Sequence, residues 1–415
     1  MSRTDVSAPP RGLPRGYLAL LVGHTVSQLG SEVTVLALPL TAITLLGAGP
    51  AQTGLLLACG RAPYLVIGLF AGVIVDRFPH RRILLTANLV MAATLATIPL
   101  LASLGQLGTV QLYMANTLVG VAAVIADVTY LACVPMVVDR ARLIRAQSSW
   151  QLSKASVVAA GPFLAGWLVS AFSAPTAILA DSASFLLATA LLPLVPMRAA
   201  ESQAASSSAV LSQVAEGLTA VFGNPILRAV TLATGTFIFC YNAYSAVFLL
   251  YLTNELGFDG WTTGVVLGIG ALGGVVGAIT APWAGRAIGL GPVLIVALAL
   301  SAGGLTLATL LTEPRCSAVA CVAVSQFVLW VGQEIYNVQQ VPIRYALVPD
   351  RVQGRVSASI RSVVWGLAPL GALLGGAVGA GPGLRATLVA SSVLGAASVL
   401  WIWRSPLRHT HSLRP

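Results

Sequence analysis

Charge is the scarcest ingredient of this sequence. Asp, Glu, Lys and Arg make up 9% of its 415 residues, while 57% are hydrophobic. Soluble domains carry roughly 25% charge, so a water-soluble globular fold is excluded. Lysine is nearly absent. Lys154, in Leu-Ser-Lys-Ala, is the sole one, and a phosphate-binding GxxxxGK[ST] loop cannot be built around it, which excludes ATP hydrolysis of the usual kind. The histidines (His24, His80, His409, His411) form no HExxH pair, and no GxSxG turn is present, so the chain reads as a non-enzyme needing no cofactor. Cys59, Cys133, Cys240, Cys316 and Cys321 have no metal-ligand spacing, and Cys316 and Cys321 point to different sides of a helix, so neither a metal site nor a structural disulfide is expected. A polar domain is also missing. The net charge of +10 therefore has no surface on which to bind nucleic acid.

What the chain does have is apolar stretches long enough to cross about 30 Å of hydrocarbon. Twelve are expected: 17–45, 52–75, 82–103, 108–137, 146–173, 175–197, 227–253, 260–284, 291–312, 316–343, 356–380 and 383–404. The first is too long for a removable signal peptide. With the N-terminus inside, Arg315 and Arg385 alone fall in outer loops and Arg61, Lys154, Arg228 and Arg361 within spans; every other basic residue is cytoplasmic. That asymmetry predicts a multi-pass protein of the cytoplasmic membrane with both termini inside. The fold class is an all-α membrane protein of twelve transmembrane helices.

The two halves repeat one another. Gly72-Val-Ile-Val-Asp76-Arg77-Phe-Pro-His-Arg81-Arg82 has a worn counterpart in Ala281-Pro-Trp-Ala-Gly285-Arg286. Asp139-Arg140 recurs as Asp350-Arg351, and Pro162 as Pro369, at offsets of 207 to 211 residues. Many transporters are built from such repeats, with the substrate path between them. The expected organisation is a tail at 1–16, a six-helix bundle at 17–197, a linker at 198–224, a second six-helix bundle at 225–404 and a tail at 405–415. Val210, Leu211, Val214, Leu218, Val221 and Phe222 give that linker an amphipathic helix for the membrane surface. Gly371, Gly375 and Gly379, and Gly264 with Gly268, let helix backbones approach closely. Gly268-Ile-Gly270-Ala-Leu-Gly273 matches the dinucleotide motif in form, but it lies in an apolar helix with no strand before it.

The Gly72–Arg82 loop resembles the signature between the second and third spans of the major facilitator superfamily. Asp181-Ser-Ala-Ser-Phe185, Asn224-Pro-Ile-Leu-Arg228, Val348-Pro-Asp-Arg-Val-Gln-Gly-Arg355 and Arg361-Ser-Val-Val-Trp365-Gly-Leu-Ala-Pro369 resemble, more narrowly, the enterobactin-exporter and macrolide-efflux branch. The resemblance implies two pseudo-symmetric six-helix bundles, a monomer, and a small organic substrate exchanged for protons by alternating access. Three positions depart from it. Asn116 stands where drug–proton antiporters often carry an arginine, Val157 replaces an early glycine of the fifth-span motif that closes as Gly161-Pro162-x-x-Ala-Gly166, and Gly285 replaces the acid of the second loop.

Ionisable side chains at the bilayer centre cost about 2.5–3.5 kcal/mol each on insertion scales, so each demands a reason. Glu32 is the first candidate for proton coupling, because a carboxyl withdrawn from water on the first span can exchange protons near neutrality. Asp127 is the second. Arg61, Lys154, Asp181 and Arg361 are expected charge partners within the bundle, and ion pairs that merely fix helices remain the alternative role for all of these. A stripe of Gln333, Glu334, Asn337 and Gln340, with Gln28, Tyr241, Asn242 and Trp365, would line a partly apolar pocket for an amphipathic molecule. Interhelical hydrogen bonding is the competing role for the stripe. Gly72, Asp76, Arg77, Arg81, Arg82, Asp139 and Arg355 are expected to form a cytoplasmic gate, with Asp76 facing the start of the eleventh span. The functional expectation is proton-coupled efflux of a drug, macrolide-like metabolite or siderophore. Import or facilitated passage of a solute, or a transport-inactive scaffold, are the alternatives.

Overall fold

A computed structural model describes residues 13–68, 71–139, 142–196, 219, 221–309, 316–348 and 350–410, with the side chains of Asp76, Arg355 and Arg361 outside that description. The described residues contain helices and no strand. Without water to bind peptide groups in hydrocarbon, a helix that bonds all of its own backbone is the available solution. In chain order these are α1 (Arg15–Leu46), α2 (Pro50–Val66), α3 (Ala71–Arg77), α4 (His80–Ser103), α5 (Thr109–Val137), α6 (Leu143–Phe172) and α7 (Ala174–Leu191). The second half continues with α8 (Pro225–Leu250), α9 (Gly260–Ile288), α10 (Leu290–Thr309), α11 (Cys316–Leu347), α12 (Asp350–Ala380), α13 (Leu384–Ala396) and α14 (Ser398–Trp403).

Eleven crossings among the described residues are long and apolar enough to span a bilayer. The remaining one begins as the 17-residue α2, turns at Ile67-Gly68, and resumes as α3. The sequence reads that crossing as one continuous span over 52–75. Gly68 disfavours the helix there, although the Ala71 N–H still donates to the Ile67 carbonyl oxygen at 2.7 Å, so a helical hydrogen bond bridges the turn. The expected linker lies almost wholly outside the described residues, as do most of the N-terminal tail and the last five residues.

Helix ends follow local chemistry. Gly47 closes α1 at φ 62°, a conformation that costs glycine nothing. Asn224 caps α8 by accepting hydrogen bonds from the Ile226 and Leu227 N–H groups, with Pro225 pre-set at the first turn. Asp259 caps α9 by accepting from the Thr262 N–H at 2.8 Å, and Thr262 holds the carboxyl below the usual range. A depressed carboxyl contributes stability above its ordinary pKa and loses it as pH falls through the folded value. Inside the helices, Pro135 of α5 and Pro342 of α11 add another pair at an offset of 207 residues to the internal repeat.

The packing separates into two bundles with separate cores. In the first, α1 lies on α6 and α7, α4 on α5 and α7, and α2 on α5. Tyr17, Leu84, Leu112, Trp150 and Ile178 are among its buried residues. In the second, α11 packs on α9 and α10, and α8 on α12 and α13, burying Phe237, Tyr251, Leu298 and Tyr336. The outside is apolar: Val35, Val110, Ile279 and Trp283 are exposed, which a lipid surround accommodates. Between bundles, α2 meets α12 and α6 meets α9. These pairs exchange under the half-chain repeat, so the interface has an approximate two-fold axis.

Candidate functional site

Each bundle interface is drawn tight by one glycine pair. A Cβ on Gly54 of α2 would lie 2.6 Å from the Ala372 carbonyl oxygen and 2.7 Å from Gly376 Cα on α12. On the other side, a Cβ on Gly166 of α6 would lie 2.7 Å from Gly264 Cα and 2.8 Å from the Gly260 carbonyl oxygen on α9. Thr53 Oγ1 also donates across the interface to the Ala246 carbonyl oxygen at 3.0 Å. All of these contacts sit at the ends of α2 and α9 where those helices begin and of α6, α8 and α12 where they finish. That is the face of the molecule opposite residue 15, where α1 begins. Of these seam glycines the sequence reads only Gly264 as a packing surface; Gly371 and Gly375 instead meet Phe239 and Ala243 within the second bundle.

Beneath the seams lie the charges. Glu32 is half-buried, with its stem against Gly161 of α6, where an added Cβ would fall 2.7 Å from Glu32 Cβ. The surviving Gly161-Pro162 motif thus has a local purpose: it makes room for the acid of α1. Arg61 interacts electrostatically with Glu32, but no nitrogen–oxygen contact within 4 Å joins them. Its guanidinium instead lies 5.9 Å from the ring centroid of Trp365, across the bundle interface, within the range of a cation–π contact. Tyr64 approaches the same ring at 6.5 Å and donates to Asp127 Oδ2 at 3.5 Å. Tyr241 of α8 is within electrostatic reach of both Glu32 and Arg61, stacks on Phe237 and meets Trp330 edge-on at 5.9 Å. Glu32, Arg61, Tyr241 and Trp365 are therefore brought together. Gln28, one turn before Glu32, is half-buried.

Asp181 differs from the charge-partner expectation. It is 1% exposed and meets hydroxyls rather than a cation: Thr34 Oγ1 donates at 2.5 Å, Ser184 at 3.3 Å and Ser31 at 3.5 Å. A buried carboxyl so supplied binds α1 to α7 without a counter-ion. Thr34→Val should lower stability by about 1–3 kcal/mol, the range for leaving a buried polar group without its partner. A fall of several degrees in the thermal midpoint of the detergent-purified protein would register this, and an unchanged midpoint would refute it. Asn116, at the antiporter arginine position, donates to the Leu56 carbonyl oxygen at 2.7 Å and so ties α5 to α2. Asn116→Ala should cost about 1 kcal/mol in the same assay.

In the second bundle the polar stripe is real, but much of its hydrogen-bonding capacity is used internally. Gln333 Nε2 and Gln340 Nε2 both donate to Asn337 Oδ1 at 3.4 Å, and Arg344 donates to Gln340 Oε1 at 2.5 Å. Thr234 of α8 and Tyr336 share a 2.8 Å bond, and Gln339 donates to the Ala281 carbonyl oxygen at 2.5 Å. Asn242 turns back onto its own helix, donating one of its two amide N–H groups to the Ile238 carbonyl oxygen at 2.8 Å. Gln333 Oε1 has no hydrogen-bond partner and Glu334 is half-buried beside Gly277. Of the gate residues, Gly72, Arg77, Arg81, Arg82 and Asp139 are exposed where α3, α4 and α5 end at the face nearer the termini. The Asp76 and Arg355 side chains, and Arg361 from the charge set, lie outside the described residues.

One arrangement escaped the sequence reading. His24 is 3% exposed and stacks on Trp150 at 4.3 Å and 13°, with Tyr130 at 4.7 Å. Its spacing of four and eight residues from Gln28 and Glu32 is the signal that could have found it.

The Major Facilitator Superfamily domain matches residues 20–368. The chain belongs to this superfamily. Its members are transporters rather than enzymes, and this one is a multi-pass membrane protein. The chain is 25% identical over 394 residues to the multidrug efflux pump Tap of Mycolicibacterium fortuitum, covering 91% of this chain and 92% of Tap. It is 26% identical over 219 residues to the uncharacterized MFS-type transporter YfiS of Bacillus subtilis, about half of each chain (51%). Among solved structures, an inward-facing bacterial homologue of the iron transporter ferroportin superposes at TM-score 0.75 with 17% identity, covering 95% of this chain and all of that one. The nucleoside transporter NupG superposes at TM-score 0.71 with 14% identity, covering 94% of this chain and 98% of NupG. At such identities these structures speak for the fold alone.

Proposed function

We propose that this transporter exports a small amphipathic organic compound in exchange for protons, by rocking its two bundles about a central site, and that both termini are cytoplasmic. The carrying observation is the carboxyl of Glu32. It lies under the sealed interface, near Arg61 but without ion-pair contact, while Arg61 is occupied by Trp365. A carboxylate so placed can accept a proton without first breaking an ion pair. The aromatic side chains of Tyr241, Trp330 and Trp365 provide the apolar surface that an amphipathic cargo requires. With cytoplasmic termini, the glycine seams lie on the outer side, so the structure corresponds to a state closed to the exterior. Tap's multidrug efflux supports the direction of transport.

The test is accumulation of a fluorescent amphiphile such as ethidium in cells with and without the protein. Expressing cells should retain less, and a proton uncoupler should erase the difference. A difference that survives uncoupling would replace exchange with facilitated passage, and no difference across a panel of amphiphiles would overturn export.

A further inference from the structure

A cleft of about 370 Å³ opens between the ends of α5 and α6 nearer the termini, lined by Leu131, Val134, Pro135, Leu143, Ile144 and Gln147. Helical spacing carries both walls inward from it. On α5, Asp127 precedes Leu131 by one turn; on α6, Gln151 and Lys154 follow Gln147 by one and two turns. Gln147, Gln151 and Lys154 are all exposed and share one face of α6, whose first half also carries Arg145, Ser148, Ser149, Ser153 and Ser156. Lys154 lies about 16 Å along α6 from Leu143, at 1.5 Å per residue. It lies within electrostatic reach of Asp127 of α5 and of His24 of α1. Yet no acid among the described residues comes within 4 Å of its ammonium. An exposed cation at this depth, not neutralised by contact and reached along an amphipathic cleft, is placed to receive an anionic group.

We propose that Lys154 anchors the acidic group, a carboxylate or phosphate, of an amphipathic cargo that enters along this cleft. Gln147 and Gln151 pass hydrogen bonds to the cargo on the way in, and Leu131, Val134 and Pro135 hold its apolar body. Asp127, on the facing wall, repels a second negative charge and accepts a cationic group, so singly acidic or zwitterionic amphiphiles fit best. The inference rests on the transporter reading but not on proton coupling through Glu32.

Because Lys154 is the sole lysine, amine-selective chemistry reads it alone once the N-terminal amine is separated by peptide mapping. The experiment is labelling of the intact protein in phosphatidylcholine nanodiscs by a membrane-impermeant amine-reactive ester, with submicellar cholate as the acidic amphiphile and ethidium as the cationic one. Cholate should slow Lys154 labelling at least fivefold and ethidium should not. Cholate binding, followed by tryptophan fluorescence, should weaken about tenfold in Lys154→Gln and recover in Lys154→Arg. Unlabelled Lys154, equal protection by both amphiphiles, or cholate binding indifferent to Lys154→Gln would each overturn the proposal. Protection by phosphatidylglycerol nanodiscs without protection by cholate would assign the charge to a lipid headgroup and also overturn it. None of these readouts depends on a proton gradient, so failure of coupled export leaves them interpretable.

Discussion

Gly54→Leu is expected to abolish transport and to leave the outer face open. The Gly54 site has no slack: even a methyl group there would fall 2.6 Å from the Ala372 carbonyl oxygen and 2.7 Å from Gly376 Cα. Both obstacles are backbone, which cannot rotate aside as a side chain would. Overpacking of this kind costs about 1–3 kcal/mol at one position, and more where the bulk is larger. If the seam exists only in the state closed to the exterior, that cost falls on one side of the conformational equilibrium and shifts it by about tenfold per 1.4 kcal/mol. A cysteine placed at Ala51, in a background with the native cysteines replaced, should then react faster with an external impermeant maleimide. Gly264→Leu should behave alike, because Gly264 meets Gly166 on the symmetry-related seam. Wild-type reactivity and normal efflux in both variants would mean that the glycine seams do not gate.

Glu32→Gln is expected to reduce proton-driven efflux at least about tenfold while the protein still folds and binds cargo. Glutamine keeps the size of the side chain and its hydrogen-bonding reach, and the room that Gly161 makes for the stem is unchanged. What is lost is the group that can gain and release a proton in the path. In proteoliposomes, an imposed pH difference should accelerate efflux through the wild type and leave the variant flat. Asp127→Asn separates the two candidate acids, because Asp127 sits on α5, accepts from Tyr64 and is within electrostatic reach of Lys154. If Glu32→Gln responds to the gradient like the wild type while Asp127→Asn does not, the coupling role passes to Asp127.

The fold was legible in the sequence because membrane insertion writes itself into composition. Twelve apolar runs, basic residues concentrated on one side and a half-chain repeat are one-dimensional properties, and the structure reproduces the crossings with ends shifted by a few residues. The second crossing is the exception. Its apolar run continues through Gly68, and hydropathy does not register that glycine loosens the helix there. Parts of the candidate site were legible for a related reason. An ionisable residue in an apolar run is conspicuous, so Glu32, Arg61, Asp127, Lys154 and Asp181 stand out in any reading.

Their partners did not stand out, because a partner is chosen by which helix faces which. Asp181 lies beside Thr34, 147 residues away in the chain, and Arg61 lies over Trp365, more than 300 residues away. No periodicity within one helix encodes either meeting. The same holds for His24, an unremarked residue until α5 and α6 bring Tyr130 and Trp150 against its ring. By itself the amino-acid order determined that the chain lives in a membrane and crosses it about twelve times in two related halves. Tertiary structure alone decided which glycines close the bundle interface, which acid is tied down by hydroxyls, and which acid and which lysine are left without a contact ion pair. Those outcomes depend on distances of a few ångströms between separate helices, and such distances exist only once the helices have packed.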